Sequence, residues 1–166
     1  MEEKLKINIR KAKSDDLPIL EIIRAEAFTP VFESFRQILG DAIYETAQKR
    51  EDEDQGRILA SMFSSETEWF LYVVESSGEA VGFVSFRLDE ANQLGEIGLN
   101  AVRPAESGKG IGTRMYEFAL SKMKDVGLKV AMVATGGDES HAPARKAYEK
   151  SGFNVSIPSV WMCREL

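Results

Sequence analysis

The sequence predicts an α/β fold, in which helices cover both faces of a mixed β-sheet. Strands are expected near both ends of the chain: apolar and polar residues alternate over 7–11, and the segment 155–163 is expected to supply closing strands. Between them lie several stretches with apolar residues at helical spacing. The 166 residues, 43% hydrophobic and 29% charged, have the composition of one soluble globular domain, so we expect residues 1–166 to form a single domain.

After the strand over 7–11, the first third of the chain is predicted to be helical. Ser14 is a candidate helix cap, and the apolar stripe that follows it ends at Pro30. A second helix continues from Phe32, with Gly40 in its middle. The acidic run 51–54 is typical of a solvated turn or a helix end, and a further short helix carries Ile58, Leu59, Met62 and Phe63.

The middle of the chain is predicted to form a β-hairpin and then a central strand. Strands over 69–75 and 81–88 flank the glycine-bearing turn 76–79. The central strand, 96–102, should place Ile97, Leu99 and Ala101 on one face, and Glu96, Gly98 and Asn100 on the other. The glycine in this strand is also compatible with a local β-bulge.

The last third is predicted to alternate between helix and strand. Ile111 begins a long amphipathic helix that ends at Gly127. The nearly continuous apolar run 129–134 predicts a strand that is covered on both faces. Ser140 is expected to cap a helix that ends at Gly152, after which closing strands complete the sheet.

Three glycines at alternate positions follow the central strand, after a break at Pro104. They occupy positions 108, 110 and 112 and lead directly into the long helix. Several backbone N–H groups can therefore converge at a helix N-terminus, which predicts a cradle for an anion.

Two better-known glycine loops fit this segment poorly. A P-loop requires Ser or Thr after its lysine and a glycine six residues before that lysine, whereas here Lys109 is followed by Gly110 and position 103 is Arg103. A dinucleotide-binding fingerprint begins close to the strand end, but five residues separate Val102 from the first glycine.

Two blocks of the sequence resemble the signature motifs of the GNAT superfamily of acyl-CoA-dependent N-acetyltransferases. The run 101–104, Ala-Val-Arg-Pro, together with the glycines that follow it, resembles motif A, although Ser107 stands where that motif usually has Arg or Gln. The run 142–153, which ends in Tyr-Glu-Lys-Ser-Gly-Phe, resembles motif B, and His141 stands where that motif usually has Asn. With the flanking strands and helices the resemblance covers nearly the whole chain.

The resemblance implies a mostly antiparallel sheet in which two strands, 96–102 and 129–134, splay apart to hold acetyl-CoA. The pantetheine arm would pair with the exposed strand edge while the pyrophosphate reaches the glycine loop. Arg103 and Arg114 lie near the phosphates by position, although such side chains are often simply solvated. The implied cofactor-binding residues are Asn100, Ala101, Val102, Ser107, Gly108, Lys109, Gly110, Ile111, Gly112, Thr113 and His141.

Acetyl transfer to an amine requires an uncharged nucleophile, a donor for the developing oxyanion and a proton for the departing thiolate. An alkylamine has a pKa near 10, so only on the order of one molecule in a thousand is uncharged at neutral pH. By resemblance Glu96 is the candidate base and Tyr148 the candidate acid. Spacing alone leaves Glu96 as an exposed carboxylate at a strand end and Tyr148 as a core residue. The oxyanion donor would be a backbone N–H near Asn100 or Ala101.

Composition excludes several other classes of function. A net charge of −6 and a pI near 5.0 argue against sequence-independent binding to nucleic acid. The longest apolar run, 69–74, is far shorter than the roughly 18 residues of a membrane span, and the acidic start lacks an apolar signal region, so we expect a cytoplasmic protein without membrane attachment.

The single cysteine, Cys163, lies in the predicted closing strands, where we expect it to be buried. It leaves no intrachain disulfide, and with His141 as the only histidine no metal-ligand cluster is expected. Counting residues leaves a Cys–His nucleophile pair open.

The sequence therefore predicts an acetyl-CoA-dependent N-acetyltransferase without a metal, in which a primary amine attacks directly in a ternary complex. Its acceptor would be a small-molecule or peptide amine, and by resemblance the first third of the chain supplies much of the acceptor pocket. Trp69, Phe70 and Tyr72 are either part of that pocket or simply core residues. Two alternatives remain open, a non-catalytic acetyl-CoA-binding or sensor module and a protein that binds another phosphate-bearing nucleotide. A homodimer is also left open.

Overall fold

The computed structural model describes residues 6–166. Five strands form one sheet in the order β1-β2-β3-β4-β5. The first four pair antiparallel with their neighbours, and β4 pairs with β5 in parallel. The predicted mixed, mostly antiparallel sheet is confirmed. The strands are β1 Ile7–Lys11, β2 Phe70–Ser76, β3 Glu79–Asp89, β4 Leu94–Val102 and β5 Val130–Val133.

Helices cover both faces of the sheet, as predicted. On one face α1 and α3 contribute Leu20, Ile23 and Leu59 to a buried cluster that includes Phe83 of β3. On the other face α4 and α5 pack on a second cluster around Phe86. The helices are α1 Leu17–Leu39, α2 Asp41–Ile43, a π-helical turn Tyr44–Gln48, α3 Lys49–Ser61, α4 Ile111–Asp125 and α5 Ala142–Lys150.

The predicted break in the first helix at Pro30 is wrong, because α1 continues through this residue to Leu39. Proline in a helix interior costs about 3 kcal/mol, since it removes one hydrogen bond and crowds the preceding turn. Here Pro30 lies on the exposed side of α1, while Val31 next to it is buried. Tertiary packing therefore holds the helix together, and the break falls instead at Gly40, whose φ is +74°.

The acidic run 51–54 lies at the N-terminal end of α3, so of the two predicted settings, a solvated turn or a helix end, the structure has the helix end. Asp52 is only 5% exposed and accepts hydrogen bonds from the Tyr44 hydroxyl at 2.7 Å and from Gln48 Nε2 at 2.8 Å. Burial, together with the hydrogen bond to Asp52, raises the pKa of Tyr44 to about 12. A carboxylate with two buried partners can lie within a helix face that packs against the protein.

A β-bulge interrupts β4 at Gly98, as the sequence suggested. The register between β3 and β4 shifts so that Ser85 of β3 lies opposite both Gly98 and Leu99. A Cβ atom at position 98 would lie 2.3 Å from the ring of Trp69, so only glycine fits here without a shift of that ring.

The bulge overturns the prediction that Ile97, Leu99 and Ala101 share one face of the strand. Ile97 packs in the cluster on the α4 face, whereas Leu99 and Ala101 pack in the cluster on the α1 face. One extra residue in a strand reverses the alternation of every residue after it.

The end of the chain differs most from expectation. Val130 and Met132 of β5 are 58% and 44% exposed, so this strand is not covered on both faces. The predicted closing strands over 155–163 are absent, because residues 154–166 form neither helix nor strand and are all exposed. Cys163 is exposed with them rather than buried.

Candidate active site

The strands β4 and β5 separate halfway along β4. They pair only between Leu94–Ile97 and Val130–Val133. Beyond Ile97, within residues 6–166, the segment 98–102 pairs with β3 alone. The predicted splay between these two strands is therefore present, and it begins at the bulge.

The open half of β4, residues 98–102, is followed by the glycine loop, residues 107–113. Pro104–Glu106 form a short 3₁₀ turn, and α4 begins at Ile111 with Gly110 as its N-cap residue. Gly110 has a φ of +77° and space around it, since a Cβ atom there would meet no atom within 4 Å. The loop leaves the N-terminus of α4 open, which is the geometry that favours an anion.

The residues of this loop that precede α4 are exposed rather than packed against the protein. Ser107, Gly108 and Lys109 are exposed, and the Lys109 ammonium group pairs with Glu106 at 2.9 Å. Ile111, in contrast, is only 2% exposed and anchors the first turn of α4 in the core. Gly112 and Thr113 follow in that first turn.

Asn100 connects the open half of β4 to two tyrosines. Its side-chain Oδ1 accepts a hydrogen bond from the Tyr116 hydroxyl at 2.8 Å. Its Nδ2 donates to the backbone oxygen of Gly98 at 2.9 Å and to the Tyr148 hydroxyl at 3.1 Å. The Tyr116 hydrogen bond therefore fixes the orientation in which the amide nitrogen faces Tyr148.

Tyr116 was not singled out in the sequence, although it is central to this arrangement. Its ring lies 4.5 Å from that of Tyr148, centroid to centroid, and the two residues are 3% and 6% exposed. Burial raises the pKa of Tyr116 well above its usual value, so the hydroxyl stays protonated and donates a hydrogen bond to Asn100. The sequence feature that could have identified Tyr116 is a hydroxyl-bearing residue next to Met115, on the buried side of α4.

Glu96 lies on the other face of β4, away from Tyr148. Its carboxylate accepts a hydrogen bond from Arg87 Nε at 2.7 Å, and the Arg87 guanidinium lies 5.3 Å from the centre of the Trp69 ring. The Glu96 side chain is 26% exposed. The two predicted catalytic residues thus flank the bulge from opposite faces of the strand.

A cleft of about 1080 Å³ lies beside Arg87, where β1 and β3 end and β2 begins. Trp69, Phe70 and Arg87 line it, together with charged residues of both signs, Lys11, Glu68, Asp89 and Glu90. Phe70 and Tyr72 both stack on Phe86 on the α4 face; Tyr72, which also packs against Phe118, does not line the cleft.

His141 precedes α5 and is held by Asp138, its Nδ1 lying 2.5 Å from the carboxylate oxygen. Asp138, not Ser140, caps the turn, because its side chain accepts from the Ser140 backbone N–H at 3.2 Å. Ser34 of α1 also donates to Asp138, at 2.9 Å, and the His141 ring lies 5.7 Å from that of Phe35. This loop is thereby attached to α1.

The hydrogen bonds determine the ionisation of Asp138. Burial alone would raise its pKa, but hydrogen bonds from Ser140, His141 and Ser34 outweigh burial and lower the pKa to about 2. Arg145 of α5 donates to the backbone oxygens of Gly136 and Asp138, both at 2.7 Å, and holds the same loop from the other side.

Within residues 6–166 no group of three or more His, Cys, Asp or Glu side chains is placed to hold a metal ion. None of their helices combines the length and the apolar character that crossing a membrane requires.

Comparison with known proteins agrees with this architecture. Mycothiol acetyltransferase of Streptomyces coelicolor is 30% identical over 89 residues, which are 51% of this chain and 28% of that protein. The chain therefore spans less than a third of the length of that relative. An uncharacterized N-acetyltransferase of Archaeoglobus fulgidus is 32% identical over 148 residues, covering 86% of this chain and 89% of that protein.

A solved structure shows the same fold at lower identity. A GNAT family acetyltransferase of Brucella melitensis, crystallised with acetyl-CoA, superposes with a TM-score of 0.60 at 18% identity, covering 92% of this chain and 91% of the other. Residues 32–153 match the Acetyltransferase (GNAT) family. This match covers most of the chain and includes the bulge, the glycine loop and Tyr148; the protein belongs to the GNAT family of acetyltransferases.

Proposed function

We propose that this protein transfers the acetyl group of acetyl-CoA to the primary amine of a small molecule or peptide, by direct attack in a ternary complex. The observation that carries the proposal is the hydrogen bond from Asn100 to the Tyr148 hydroxyl in the open half of β4. It provides a buried, oriented phenol next to a strand edge that leads to an anion cradle. Membership of an acetyltransferase family supports the same activity.

The residues of the open half would bind the donor as follows. Backbone groups of Asn100, Ala101 and Val102 would pair with the pantetheine arm as a neighbouring strand does. The N–H groups from Ser107 to Thr113, at the start of α4, would bind the pyrophosphate. His141, on the loop attached to α1, would contact the arm from the side of α5. Acetyl-CoA supplies an activated thioester carbonyl when it is bound.

Tyr148 is proposed as the general acid. Because its oxygen accepts a hydrogen bond from Asn100 Nδ2, its own proton remains available for another acceptor. In the transfer the amine nitrogen bonds to the carbonyl carbon, the carbon–sulfur bond breaks, and the sulfur takes the Tyr148 proton. A thiol has a pKa near 8.5 and a phenol near 10, so this proton transfer is only slightly unfavourable before burial of the thiolate is counted.

Glu96 is proposed as the base that removes the proton of the attacking amine, directly or through water. Arg87, which donates a hydrogen bond to Glu96, lines the cleft together with Trp69, so an acceptor bound there would lie beside the Glu96–Arg87 pair. Backbone N–H groups at the bulge would then donate to the developing oxyanion between the two side chains.

The test is an acetylation assay with acetyl-CoA across a panel of amines, read by mass spectrometry. The panel contains polyamines, aminoglycosides, amino acids, peptide N-termini and peptide lysines. We expect an increase of one acetyl group on at least one class. CoA-induced thermal stabilisation should be lost in Gly110→Asp, which brings a negative charge and a strained φ to the cradle.

The competing functions give different results in the same experiments. Stabilisation by CoA without acetylation of any amine would indicate a non-catalytic acetyl-CoA-binding or sensor module. Stabilisation by ATP or NAD but not by CoA would overturn the donor assignment. Unchanged binding of acetyl-CoA by Gly110→Asp would overturn the location of the cradle.

A further inference from the structure

The indole ring of Trp69 lies directly against the bulge, on the face of the sheet opposite Tyr148. A Cβ atom at position 98 would be 2.3 Å from one indole carbon, Cζ3, and 2.7 Å from the next, Cη2. The ring therefore occupies the space that a side chain of residue 98 would fill. Trp69 packs with the cluster on the α1 face, whereas Tyr148 belongs to the cluster on the α4 face.

Two neighbours hold Trp69 in this position. The Arg87 guanidinium lies 5.3 Å from the centre of the ring, and it is itself fixed by the hydrogen bond of 2.7 Å from its Nε to Glu96. The backbone N–H of Trp69 donates to Thr67 Oγ1 at 3.2 Å, which fixes the chain just before β2. Trp69 also lines the cleft of about 1080 Å³. The same residue thus contacts both the cleft and the bulge.

This position restricts how an amine can reach the thioester, an inference that rests on the proposed function. An attacking nitrogen has to come within about 3–3.5 Å of the carbonyl carbon. Because the indole already lies against Gly98, an amine that comes from the Glu96 side has to pass the edge of the ring. The carbon atom next to the nitrogen then lies beside the indole. Two hydrogens on that carbon can pass the ring, whereas a further substituent would collide with it.

The charges of the cleft favour the same class of amine. Three carboxylates line it, Glu68, Asp89 and Glu90. Hydrogen bonds from Asn92 lower the pKa of Asp89, so this group is ionised at neutral pH. Of the residues that line the cleft, Lys11 and Arg87 are positively charged, but Arg87 is already paired with Glu96. A carboxylate next to the amine, as in a free amino acid, would therefore be repelled as well as crowded.

We propose that Trp69 determines which amines this protein acetylates, and that it selects amines whose nitrogen is carried by an unbranched CH2 group. This class contains polyamines, the lysine side chain, the aminomethyl groups of aminoglycosides and a peptide that begins with glycine. It excludes the α-amines of other amino acids, other peptide N-termini and amines attached directly to a sugar ring. Trp69 contacts the acceptor and takes no part in proton transfer.

The first test compares acceptors that differ by one methyl group next to the nitrogen. The pairs are two lysine-free peptides that begin with Gly or Ala, and propylamine with isopropylamine. A single carbon in a fitted pocket changes kcat/KM by about 10–200-fold, so the parent should acetylate the unbranched member of each pair at least about tenfold better. In Trp69→Ala the ratio should fall towards one. A parent ratio near one, or an unchanged ratio in Trp69→Ala, would overturn the proposal.

Phe70→Leu is the matched control for the loss of an aromatic ring. Phe70 also lines the cleft, but its ring stacks on Phe86, on the α4 face. Whatever this change does to the two rates, their ratio should stay that of the parent. Trp69→Leu keeps an apolar side chain and should give an intermediate ratio even where Trp69→Ala folds poorly. Equal changes of the ratio in Phe70→Leu and Trp69→Leu would overturn the assignment to Trp69.

The second test measures the contact without any acetylation. Gly98→Ala should lower the free energy of unfolding less in a Trp69→Ala background than in the parent, because the ring that the new Cβ meets is then absent. Equal losses would show that the indole does not occupy this space, and would overturn the proposal. Failure to acetylate any amine would overturn the proposed function and this proposal together. Equal acetylation of branched and unbranched amines would overturn this proposal alone.

Discussion

The two halves of β4 differ in what lies beside them. Between Leu94 and Ile97 the strand is paired on both edges, and Ile97 is 2% exposed in the core. After Gly98 the strand is paired, within the part of the chain that the structure describes, on one edge only, and the middle residue of this half is Asn100. One extra residue at the bulge therefore marks the point where a strand paired on both edges becomes a strand paired with β3 alone.

Side chains, rather than backbone N–H groups of a neighbouring strand, donate hydrogen bonds to the backbone oxygens of Gly98 and Leu99 at the bulge. Ser85 Oγ donates to the Leu99 backbone oxygen at 2.8 Å, and Asn100 Nδ2 donates to that of Gly98 at 2.9 Å. Buried carbonyls without partners would oppose such a strand opening. These two side chains therefore stabilise the open half while its N–H groups stay available for a donor molecule.

The largest effect should follow from removing one oxygen in the open half. Tyr148→Phe keeps the ring and its packing, so stability and acetyl-CoA affinity should stay close to those of the parent. A positioned general acid contributes about 10²–10⁴ in rate, so kcat with the best acceptor of the panel should fall by a factor in that range.

Tyr72→Phe is the matched control for this change. Tyr72 pairs with Val84, which in turn pairs with Asn100, so it lies two strands away, and its ring packs in the core. Its variant should retain parent-like kcat. A Tyr148→Phe enzyme that turns over as fast as the parent would return Tyr148 to a packing role and make solvent the proton source.

The next largest effect concerns stability, and it compares one glycine from each half. Gly98→Ala places a Cβ atom 2.3 Å from the Trp69 ring and 2.8 Å from Ser85 Oγ. Overpacking of this kind costs about 1–3 kcal/mol in free energy of unfolding. In Gly95→Ala the new Cβ meets Met123, a flexible thioether that can move, so the loss should be smaller. Urea unfolding of both variants measures the difference. Equal losses in free energy of unfolding would contradict the view that the bulge at Gly98 tolerates a side chain less well than position 95.

Local patterns predicted the parts of this structure that depend on local chemistry. The hairpin was predicted from the turn residues Ser77 and Gly78, which indeed have positive φ angles of 53° and 90°. The end of α4 was predicted from Gly127, whose φ is +78°. At the two glycines the residue type permits the positive backbone angle without help from distant parts of the chain.

The features that sequence reasoning missed depend on contacts between distant segments. The continuation of α1 through Pro30 depends on burial of its neighbours, and the facing of Ile97 and Leu99 depends on a bulge formed against β3. The role of Tyr116 appears only when α4 lies beside Asn100. The segment 155–163 has a strand pattern, but its partner is not determined by that pattern.

A smaller effect should show whether the glycine loop lacks a side-chain contact to the phosphates of CoA. Ser107 is exposed, so Ser107→Arg can add a long side chain without a clash. A charge-assisted contact with a phosphate would tighten CoA binding by on the order of 1 kcal/mol, or about fivefold in Kd. Ala105→Arg, which adds the same charge at an exposed position two residues earlier, should have less effect. Equal tightening by both variants would indicate a general effect of charge.

The smallest effect concerns the loop 136–141, which precedes α5 and is hydrogen-bonded to α1. The folded pKa of Asp138, about 2, lies below the ordinary value of about 3.9, so its ionisation stabilises the fold above pH 4. This contribution is lost as the pH falls from about 4 towards 2. Asp138→Asn should therefore lower Tm near pH 6 by about 2–4 °C, the shift that about 1 kcal/mol gives in a chain of this size.

Thermal unfolding at a series of pH values tests the sign as well as the size of this effect. The parent and Asp138→Asn curves should converge as the pH falls below 4, because protonation removes from the parent the same charge that the variant lacks. Asp125→Asn, at the exposed end of α4, should give a curve parallel to that of the parent. Parallel curves for Asp138→Asn would mean that the Asp138 carboxylate does not stabilise the loop through its charge, and that its hydrogen bonds to Ser34 and Ser140 act equally well from a neutral amide.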